Sequence, residues 1–186
     1  MVVVGIPGVG KTTVVTNLLE RMKGGRLVTF GSVMFEEAQR KKWAKHRDDL
    51  RKLTVERQKV LQRMAAAKIS RMKEKTVIVD THLFVRTMEG FWPGLPFEVV
   101  RALRPTHLIL VEATPEEIAE RREGDRERYR DAVSEGELHE ELGLARSFLA
   151  VSSTLTGAPM LIVKNSQGEA EGAAEEISVM LRKAAT

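Results

Sequence analysis

The chain has 186 residues, of which 42% are hydrophobic and 30% charged, enough apolar material for one well-packed domain. No run of about 18 apolar residues occurs, which argues against a membrane span, and the absence of cysteine excludes disulfides and thiolate metal sites. The net charge of +4 and an isoelectric point near 9.5 leave two classes open: a nucleic-acid binder, and an enzyme with a pocket for polyphosphates.

Five short apolar runs predict the strands of a sheet. They are Val2–Val4, Arg26–Phe30, Thr76–Asp80, His107–Ala113 and Met160–Lys164. None alternates strictly between apolar and polar residues, which is typical of strands covered on both faces in a parallel sheet. Helical segments separate the runs. We therefore predict an α/β fold of three layers, with helices on both sides of a five-stranded parallel sheet.

The helices between these strands carry local start and stop signals. The signals are Gly24 and Gly25 ending a helix that follows Lys11, Thr54 as N-cap of Val55–Lys73, a capping box at Thr114–Glu117, and a last helix over Gly172–Lys183.

A glycine-rich motif, "GIPGVGKTT", connects the first strand to the first helix. Its form, G-x-x-x-x-G-K-T, is that of a phosphate-binding loop (P-loop), in which backbone N–H groups and a helix N-terminus face the phosphates of a nucleotide. Lys11 adds charge where charge moves during transfer, and the Thr12 hydroxyl is placed to bind Mg²⁺. We expect these residues to bind ATP: Gly5, Ile6, Pro7, Gly8, Val9, Gly10, Lys11, Thr12 and Thr13.

Only four residues precede this loop. That length leaves no room for a signal peptide, so we expect a soluble, cytoplasmic protein.

Asp80 ends the third predicted strand, at the edge where ligands bind in open α/β sheets. A carboxylate beside a P-loop predicts a second Mg²⁺ ligand, bound directly or through water. An aspartate that caps the following turn is the alternative. His82, two residues on, is expected to be a hydrogen-bonded structural residue rather than a catalytic one.

Two long segments interrupt the alternation of strands and helices. Residues 31–75 form a basic, helical insert, with 14 Lys or Arg against 4 Asp or Glu from Arg40 to Lys75. The polar stretch Arg121–Glu137 is predicted to be an exposed loop. We expect the first insert, at about 31–75, to hold the phosphoryl acceptor, and a lid at about 121–145 to cover the donor. The core then comprises 1–30, 76–120 and 146–186.

Arginines are concentrated in the predicted lid: Arg121, Arg122, Arg126, Arg128 and Arg130. Phosphoryl transfer depends on positioning and on neutralising the charge of the moving group, which guanidinium groups do well. We expect Arg122, Arg128 and Arg130 to be catalytic, together with Lys11. The alternative is a solvated helix end whose arginines pair with neighbouring acids.

Six motifs in this order resemble the archaeal-type adenylate kinases, a family of P-loop NTPases. They are "VVVGIPGVGKTT", "FGSVMFEEA", "RDDLRKL", "VIVDTH", "PGLP" and "RERYRD", and the similarity covers essentially the whole chain. The resemblance implies a parallel sheet with a nucleoside-monophosphate (NMP)-binding insert and a short lid. It also implies transfer of the γ-phosphoryl group of Mg·ATP to AMP, giving two ADP.

The resemblance extends to individual residues. It implies that Asp80 helps to hold Mg²⁺, that Arg146 is the catalytic arginine on the helix behind the lid, and that Asn165 in "KNSQG" lies in the loop against the ATP adenine. On the acceptor side it implies substrate contacts from Gly31, Ser32 and Met34 of "FGSVMFEEA", and from Gly94 and Leu95 of "GFWPGLP". Archaeal-type members form trimers, which would make this chain a homotrimer.

The acceptor side departs from the wider superfamily at one position. Glu36 stands where an arginine follows the Met-hydrophobic pair, so the AMP phosphate needs another cation. Arg47, Arg51 and Arg86 are the candidates. The Gly-Phe-Pro-Arg acceptor signature is also missing after the third strand.

Two other functions remain open from the sequence. A related kinase could accept CMP or UMP, because base selectivity rests on few contacts. A nucleic-acid-associated NTPase would use the basic Arg40–Lys75 segment. Only Trp43 lies among those charges, too few aromatic residues for a base-stacking platform, which argues against nucleic acid as a partner.

Overall fold

The computed structural model describes residues 1–22, 24–87, 90–124 and 134–183. Its central feature is a five-stranded parallel sheet. The strands are β1 (Val2–Val4), β2 (Gly25–Thr29), β3 (Thr76–Asp80), β6 (Leu108–Glu112) and β7 (Met160–Lys164). They lie side by side in the order β2-β3-β1-β6-β7. The predicted sheet and its five strands are confirmed.

Seven α-helices accompany the strands in the described residues. They are α1 (Lys11–Glu20), α2 (Phe30–Arg40), α3 (Val55–Ile69), α4 (Phe97–Leu103), α5 (Pro115–Gly124), α6 (Glu135–Thr156) and α7 (Ala170–Lys183). Helices α1 and α7 pack together, whereas α3, α4 and α6 pack in series. With right-handed crossovers, this strand order puts α1 on one face and α3, α4 and α6 on the opposite face. Helix α7 follows the last strand and lies on the α1 face because the two helices pack together. The three-layer α/β/α prediction is confirmed.

The centre of the sheet forms the main core. Val2, Val3 and Val4 are at most 1% exposed, and Leu108–Val111 are fully buried. Val3 pairs with Asp80 of β3 on one side and with Ile109 of β6 on the other. Covered on both faces, these two strands need no polar side, which explains their continuous apolar sequences.

The edge strand β7 differs from that expectation. Met160 is 49% exposed and Ile162 40%, so one face of this strand is open. An edge strand has a neighbour on one side only, and the helices here cover the face that carries Val163. The prediction that all five strands are covered on both faces is therefore wrong for β7.

The insert between β2 and β3 has a small core of its own. Ala38, Ala44 and Leu61 are buried there, with Trp43 packed against them. A 3₁₀ helix over Arg47–Lys52 joins its two α-helices. Other residues of α2 and α3 reach the main core, so the insert is anchored at both ends. The domain boundaries given above stay a prediction.

Two further features are not evident from the sequence. Strands β4 (Phe84–Thr87) and β5 (Gly90–Pro93) form an antiparallel hairpin after β3. The stretch expected to be an exposed loop is helical at both ends, because α5 runs to Gly124 and α6 begins at Glu135 behind the N-cap Ser134. Ser134 and Glu137 form a capping box, a start signal that the sequence prediction overlooked.

Among the helices of the described residues, none combines the length and the apolar character that a membrane span requires.

Candidate active site

The predicted P-loop lies between β1 and α1, at the carboxyl edge of the sheet. Gly8 and Gly10 have φ of +97° and +75°, in the left-handed region that favours glycine. Space is restricted as well: a Cβ on Gly5 would lie 2.7 Å from the Val111 carbonyl oxygen, and a Cβ on Gly10 would overlap the Asn165 amide. The loop sequence is therefore set by backbone geometry and by close approach.

Lys11 and Asp80 meet at this edge. The two side chains form an ion pair between the first residue of α1 and the last residue of β3. Lys11 is only 8% exposed, and burial lowers the pKa of its ammonium to about 8. The Asp80 carboxylate opposes that effect and favours the charged form at neutral pH. The structure thus brings together two predicted residues that are 69 positions apart in the sequence.

The same place has the chemistry of a magnesium site. Thr12 and Thr13 are exposed on the first turn of α1, so the Thr12 hydroxyl is available beside the ion pair of its neighbour. No group of three or more His, Cys, Asp or Glu side chains suitable for a metal occurs in the described part of the chain. One hydroxyl and one carboxylate fit Mg²⁺, which keeps several waters and takes phosphate oxygens rather than a full protein cage.

His82 is hydrogen-bonded to the backbone of the P-loop. Its Nδ1 lies 3.1 Å from the Gly5 carbonyl oxygen, which can only accept, so this ring nitrogen donates. That contact agrees with the structural role expected for His82.

Asn165 links the P-loop to the end of β6 by two hydrogen bonds. Its Nδ2 donates to the Val9 carbonyl at 2.8 Å, and its backbone N–H donates to the Glu112 carbonyl at 2.7 Å. Only 4% of Asn165 is exposed. The contact with the P-loop explains why asparagine is suited to this position, and contact with the adenine stays a prediction.

Two arginines of α5 approach the P-loop. Arg122 donates from Nε to the Pro7 carbonyl at 2.9 Å and from Nη2 to Glu141 at 3.3 Å. Arg121 donates to the Asn165 carbonyl at 3.0 Å and to the Gln167 side chain at 3.1 Å. Its remaining Nη1 is buried, has no hydrogen-bond partner among the described residues, and lies 3.7 Å from a Cβ built on Gly10. An unpartnered guanidinium nitrogen beside a P-loop is well placed for a bound nucleotide, a role that the sequence analysis did not assign to Arg121.

Arg146 pairs with a buried glutamate of β6 rather than with the P-loop. It donates from Nε and Nη2 to the two oxygens of Glu112, at 2.8 and 2.7 Å. Glu112 is 3% exposed, and its hydrogen bond raises the pKa of the Arg146 guanidinium. Both residues line a cavity of about 340 Å³ together with Thr114, Lys164 and residues of α6. The contacts here are with Glu112 and not with the Lys11–Asp80 pair, and the catalytic role of Arg146 stays a prediction.

In the region predicted to bind the acceptor, α2 begins directly after β2. Gly31 and Ser32 lie in its first turn, and Met34 packs against both hydrophobic cores. The Arg47 guanidinium would lie 3.2 Å from a Cβ built on Gly31, so this arginine reaches the N-terminus of α2. Arg51, in the same 3₁₀ helix, is exposed.

The hairpin β4–β5 and the turn after it carry the remaining residues predicted to contact the acceptor. Gly94 donates to the Leu83 carbonyl at 2.8 Å, and a Cβ there would overlap the His82 carbonyl oxygen. Leu95 is buried beside it. Buried Gln62 of α3 donates to the Pro93 carbonyl at 3.2 Å and ties the insert to this hairpin. Arg86 of β4 pairs with Glu137 at 3.1 Å and lies 3.8 Å from Glu141.

Arg128 and Arg130, two of the predicted catalytic arginines, lie outside the described residues, as does Arg126. Their roles stay predictions.

Three comparisons with known proteins bear on this site. A family model described as an AAA domain matches residues 4–139. Among solved structures, a shikimate kinase from Acinetobacter baumannii in complex with shikimate has a TM-score of 0.64 at 17% identity, over 98% of this chain and 92% of that one. A shikimate kinase from Bacteroides thetaiotaomicron has a TM-score of 0.59 at 15% identity, over 97% of each chain. At these identities the likeness shows the fold.

Curated relatives are much closer in sequence. The chain is 40% identical to the adenylate kinase of Methanocaldococcus jannaschii and 42% identical to that of Methanococcus vannielii, in both cases over 98% of this chain and 97% of the relative. It is 39% identical to the adenylate kinase of Pyrococcus furiosus, over 98% of this chain and 93% of the relative. The nucleoside monophosphate kinase expected from the sequence is confirmed: the chain belongs to the adenylate kinase family of these archaea.

Proposed function

We propose that the chain transfers the γ-phosphoryl group of ATP to AMP, giving two ADP, and that the residues described above divide this work between a donor side and an acceptor side. The observation that carries the proposal is the Lys11–Asp80 pair under a P-loop at the carboxyl edge of the sheet. Open α/β sheets bind ligands at the carboxyl edge, at the point where the crossover connections of two adjacent strands run in opposite directions.

On the donor side, Gly5–Thr13 cradle the ATP phosphates with backbone N–H groups, and the α1 N-terminus adds its partial positive charge. Lys11 contacts the phosphate that moves. Arg121 supplies the buried, unpartnered Nη1 beside Gly10, and Asn165 keeps Val9 in place. Arg122 is tied to the Pro7 carbonyl and holds its guanidinium at the loop.

Mg²⁺ is the metal that fits the donor set, with Thr12 and Asp80 as its protein contacts. When bound, the ion neutralises charge on the ATP phosphates. Asp80 then serves both the ion and Lys11, which explains a carboxylate at the end of β3.

On the acceptor side, Gly31 and Ser32 present the α2 N-terminus to the AMP phosphate, and Arg47 adds a full positive charge next to Gly31. Arg86 and Arg51 are the other cations offered to this phosphate. Arg47 takes the place of the arginine that Glu36 replaces. Met34, Gly94 and Leu95 form the walls for the base.

The reaction needs no strong general base. A phosphate oxygen of AMP bonds to the γ-phosphorus as the bond from that phosphorus to the β–γ bridging oxygen breaks, and the leaving ADP keeps the electron pair. The arginines and Lys11 stabilise the charge on the three equatorial oxygens. Arg128, Arg130 and Arg146 complete this set in our proposal, from a lid at about 121–145 and the helix behind it.

We further propose that the chain is a homotrimer. The resemblance motivates the number of subunits. Four apolar residues of α6 and β7 are 40–56% exposed and offer apolar area for contact between subunits. They are Val151, Leu155, Met160 and Ile162. Sedimentation equilibrium measures the mass directly, and a monomer at 20.8 kDa would refute the assembly.

The test of the reaction is a transfer assay with Mg·ATP and AMP, CMP, UMP, GMP or no acceptor in parallel, with Lys11→Ala as control. Two ADP formed for each AMP consumed, and none in the variant, is the expected result. Faster transfer to CMP or UMP would change the acceptor, and hydrolysis without acceptor preference would refute the kinase mechanism.

A further inference from the structure

Glu141 of α6 is a buried carboxylate to which the proposed reaction gives no task. Only 5% of the residue is exposed. Its two oxygens face two different arginines: Oε2 accepts from Nη2 of Arg122 at 3.3 Å, and Oε1 lies 3.8 Å from Nε of Arg86. One carboxylate therefore bridges a residue of α5 and a residue of β4.

The Arg122 end of this bridge belongs to the donor side. Nε of Arg122 donates to the Pro7 carbonyl, and a Cβ on Gly8 would lie 3.1 Å from its Cγ. The side chain is 11% exposed, so it is held against the P-loop along its length.

The Arg86 end belongs to the acceptor side. Arg86 lies on the hairpin that follows Asp80 and leads to Gly94 and Leu95. Its Nη1 donates to Glu137 at 3.1 Å, and its guanidinium lies 5.5 Å from the ring centre of Phe91. Glu137 is one helical turn before Glu141, so α6 holds Arg86 with two carboxylates in succession.

An arginine side chain has many rotamers, and phosphoryl transfer requires its charge at a defined place. A carboxylate with one oxygen on each arginine sets the separation of the two guanidinium groups. Counted with Glu137, the two carboxylates balance the two guanidinium charges, so the contribution of Glu141 is the placement of the two arginines.

We propose that Glu141 is a positioning residue that couples the donor-side Arg122 to the acceptor-side Arg86, so that both guanidinium groups are in register when the two nucleotides meet. This inference rests on the proposed phosphoryl transfer from ATP to AMP. Glu141 acts through the two arginines and touches neither substrate.

The test compares Glu141→Gln with Glu140→Gln, an exposed neighbour on the same helix. We expect Glu141→Gln to lower kcat about 10- to 100-fold, the effect of displacing a catalytic group by roughly 1 Å. KM for ATP should stay within about threefold, because the P-loop N–H groups are unchanged. Glu140→Gln should match the wild type. Rates are expressed per folded molecule, determined by circular dichroism under the assay conditions, so a purely structural role leaves kcat unchanged.

Coupling provides the second readout. Glu141→Gln is also made in the Arg86→Lys and Arg122→Lys backgrounds. If Glu141 acts through these arginines, its effect in each background is at least about threefold smaller than in the wild type. Fully multiplicative effects in both backgrounds would overturn the inference.

The two failures can be told apart. Wild-type transfer to AMP with an unchanged Glu141→Gln rate would remove the positioning role and leave the proposed function intact. Absence of transfer to AMP in the wild type would overturn both.

Discussion

Replacing Gly10 by alanine tests whether geometry alone requires glycine at the N-cap of α1. Two effects add at this position. A side chain in the left-handed region costs roughly 1–2 kcal/mol. The new Cβ would also overlap the Asn165 amide, and displacing that amide leaves buried polar groups of Asn165 and Val9 without their hydrogen bond, which costs about 1–3 kcal/mol. We therefore expect the free energy of unfolding to fall by roughly 2–5 kcal/mol.

Gly157, which ends α6, supplies the matched control. Its φ is +70°, close to the +75° of Gly10, but a Cβ there would meet no atom within 4 Å. Gly157→Ala should show the backbone effect alone, about 1–2 kcal/mol. Urea unfolding at 25 °C without nucleotide measures both variants.

Equal losses for the two variants would refute the overlap with Asn165. The double variant Gly10→Ala/Asn165→Ala provides an independent check, because it removes the group that the new Cβ meets. Its loss should be smaller than the sum of the single losses by at least about 1 kcal/mol.

Three further predictions concern charged residues. The pKa of Lys11 in the folded protein, about 8, is below its unfolded value of 10.5, so burial of the charge opposes folding below pH 8 and this penalty is relieved between pH 8 and 10.5. In urea titrations, the unfolding free energy of the wild type relative to Lys11→Met should therefore rise over that pH window. A difference that does not change with pH would contradict the burial argument. Asp80→Asn should raise the Mg²⁺ concentration for half-maximal transfer by about 10-fold or more, which a metal titration of initial rates measures; an unchanged titration would exclude Asp80 from the metal site. Arg146→Met leaves the buried Glu112 carboxylate without its partner and should destabilise the protein by about 1–3 kcal/mol in thermal or urea unfolding. Adding Glu112→Gln to this variant should recover most of the loss. If stability is not recovered, the unpaired carboxylate is not the cause of the loss.

The sheet and the donor loop were predictable because their signals are local. Buried parallel strands need continuous apolar runs, and a loop that binds phosphate needs glycines at fixed spacing before a lysine. The exposed face of β7 was missed because edge position depends on strand order, which no single run records. The hairpin β4–β5 was missed because Pro93 and two glycines in "GFWPGLP" predict a loop.

The arginine network could not be predicted for a different reason. Which carboxylate neutralises which guanidinium depends on contacts between segments far apart in sequence. Arg86 and Glu137 are 51 residues apart, and Arg146 and Glu112 are 34 apart. Arg122 and Arg146 were predicted to act in one catalytic set, and their hydrogen-bond partners, the Pro7 carbonyl for Arg122 and Glu112 for Arg146, could not be foreseen. Glu141 carried no signal at all, because a glutamate on an amphipathic helix is usually solvated.

The position of β1 in the sheet has a consequence for how the protein is made. The strand leaves the ribosome before both of its neighbours, β3 and β6, and before Asn165, which is hydrogen-bonded to the P-loop that follows β1. At about 5–20 residues per second, the chain needs on the order of ten seconds to supply that last contact. The nucleotide site is therefore complete only after Asn165 has been synthesised, although the P-loop itself is made much earlier.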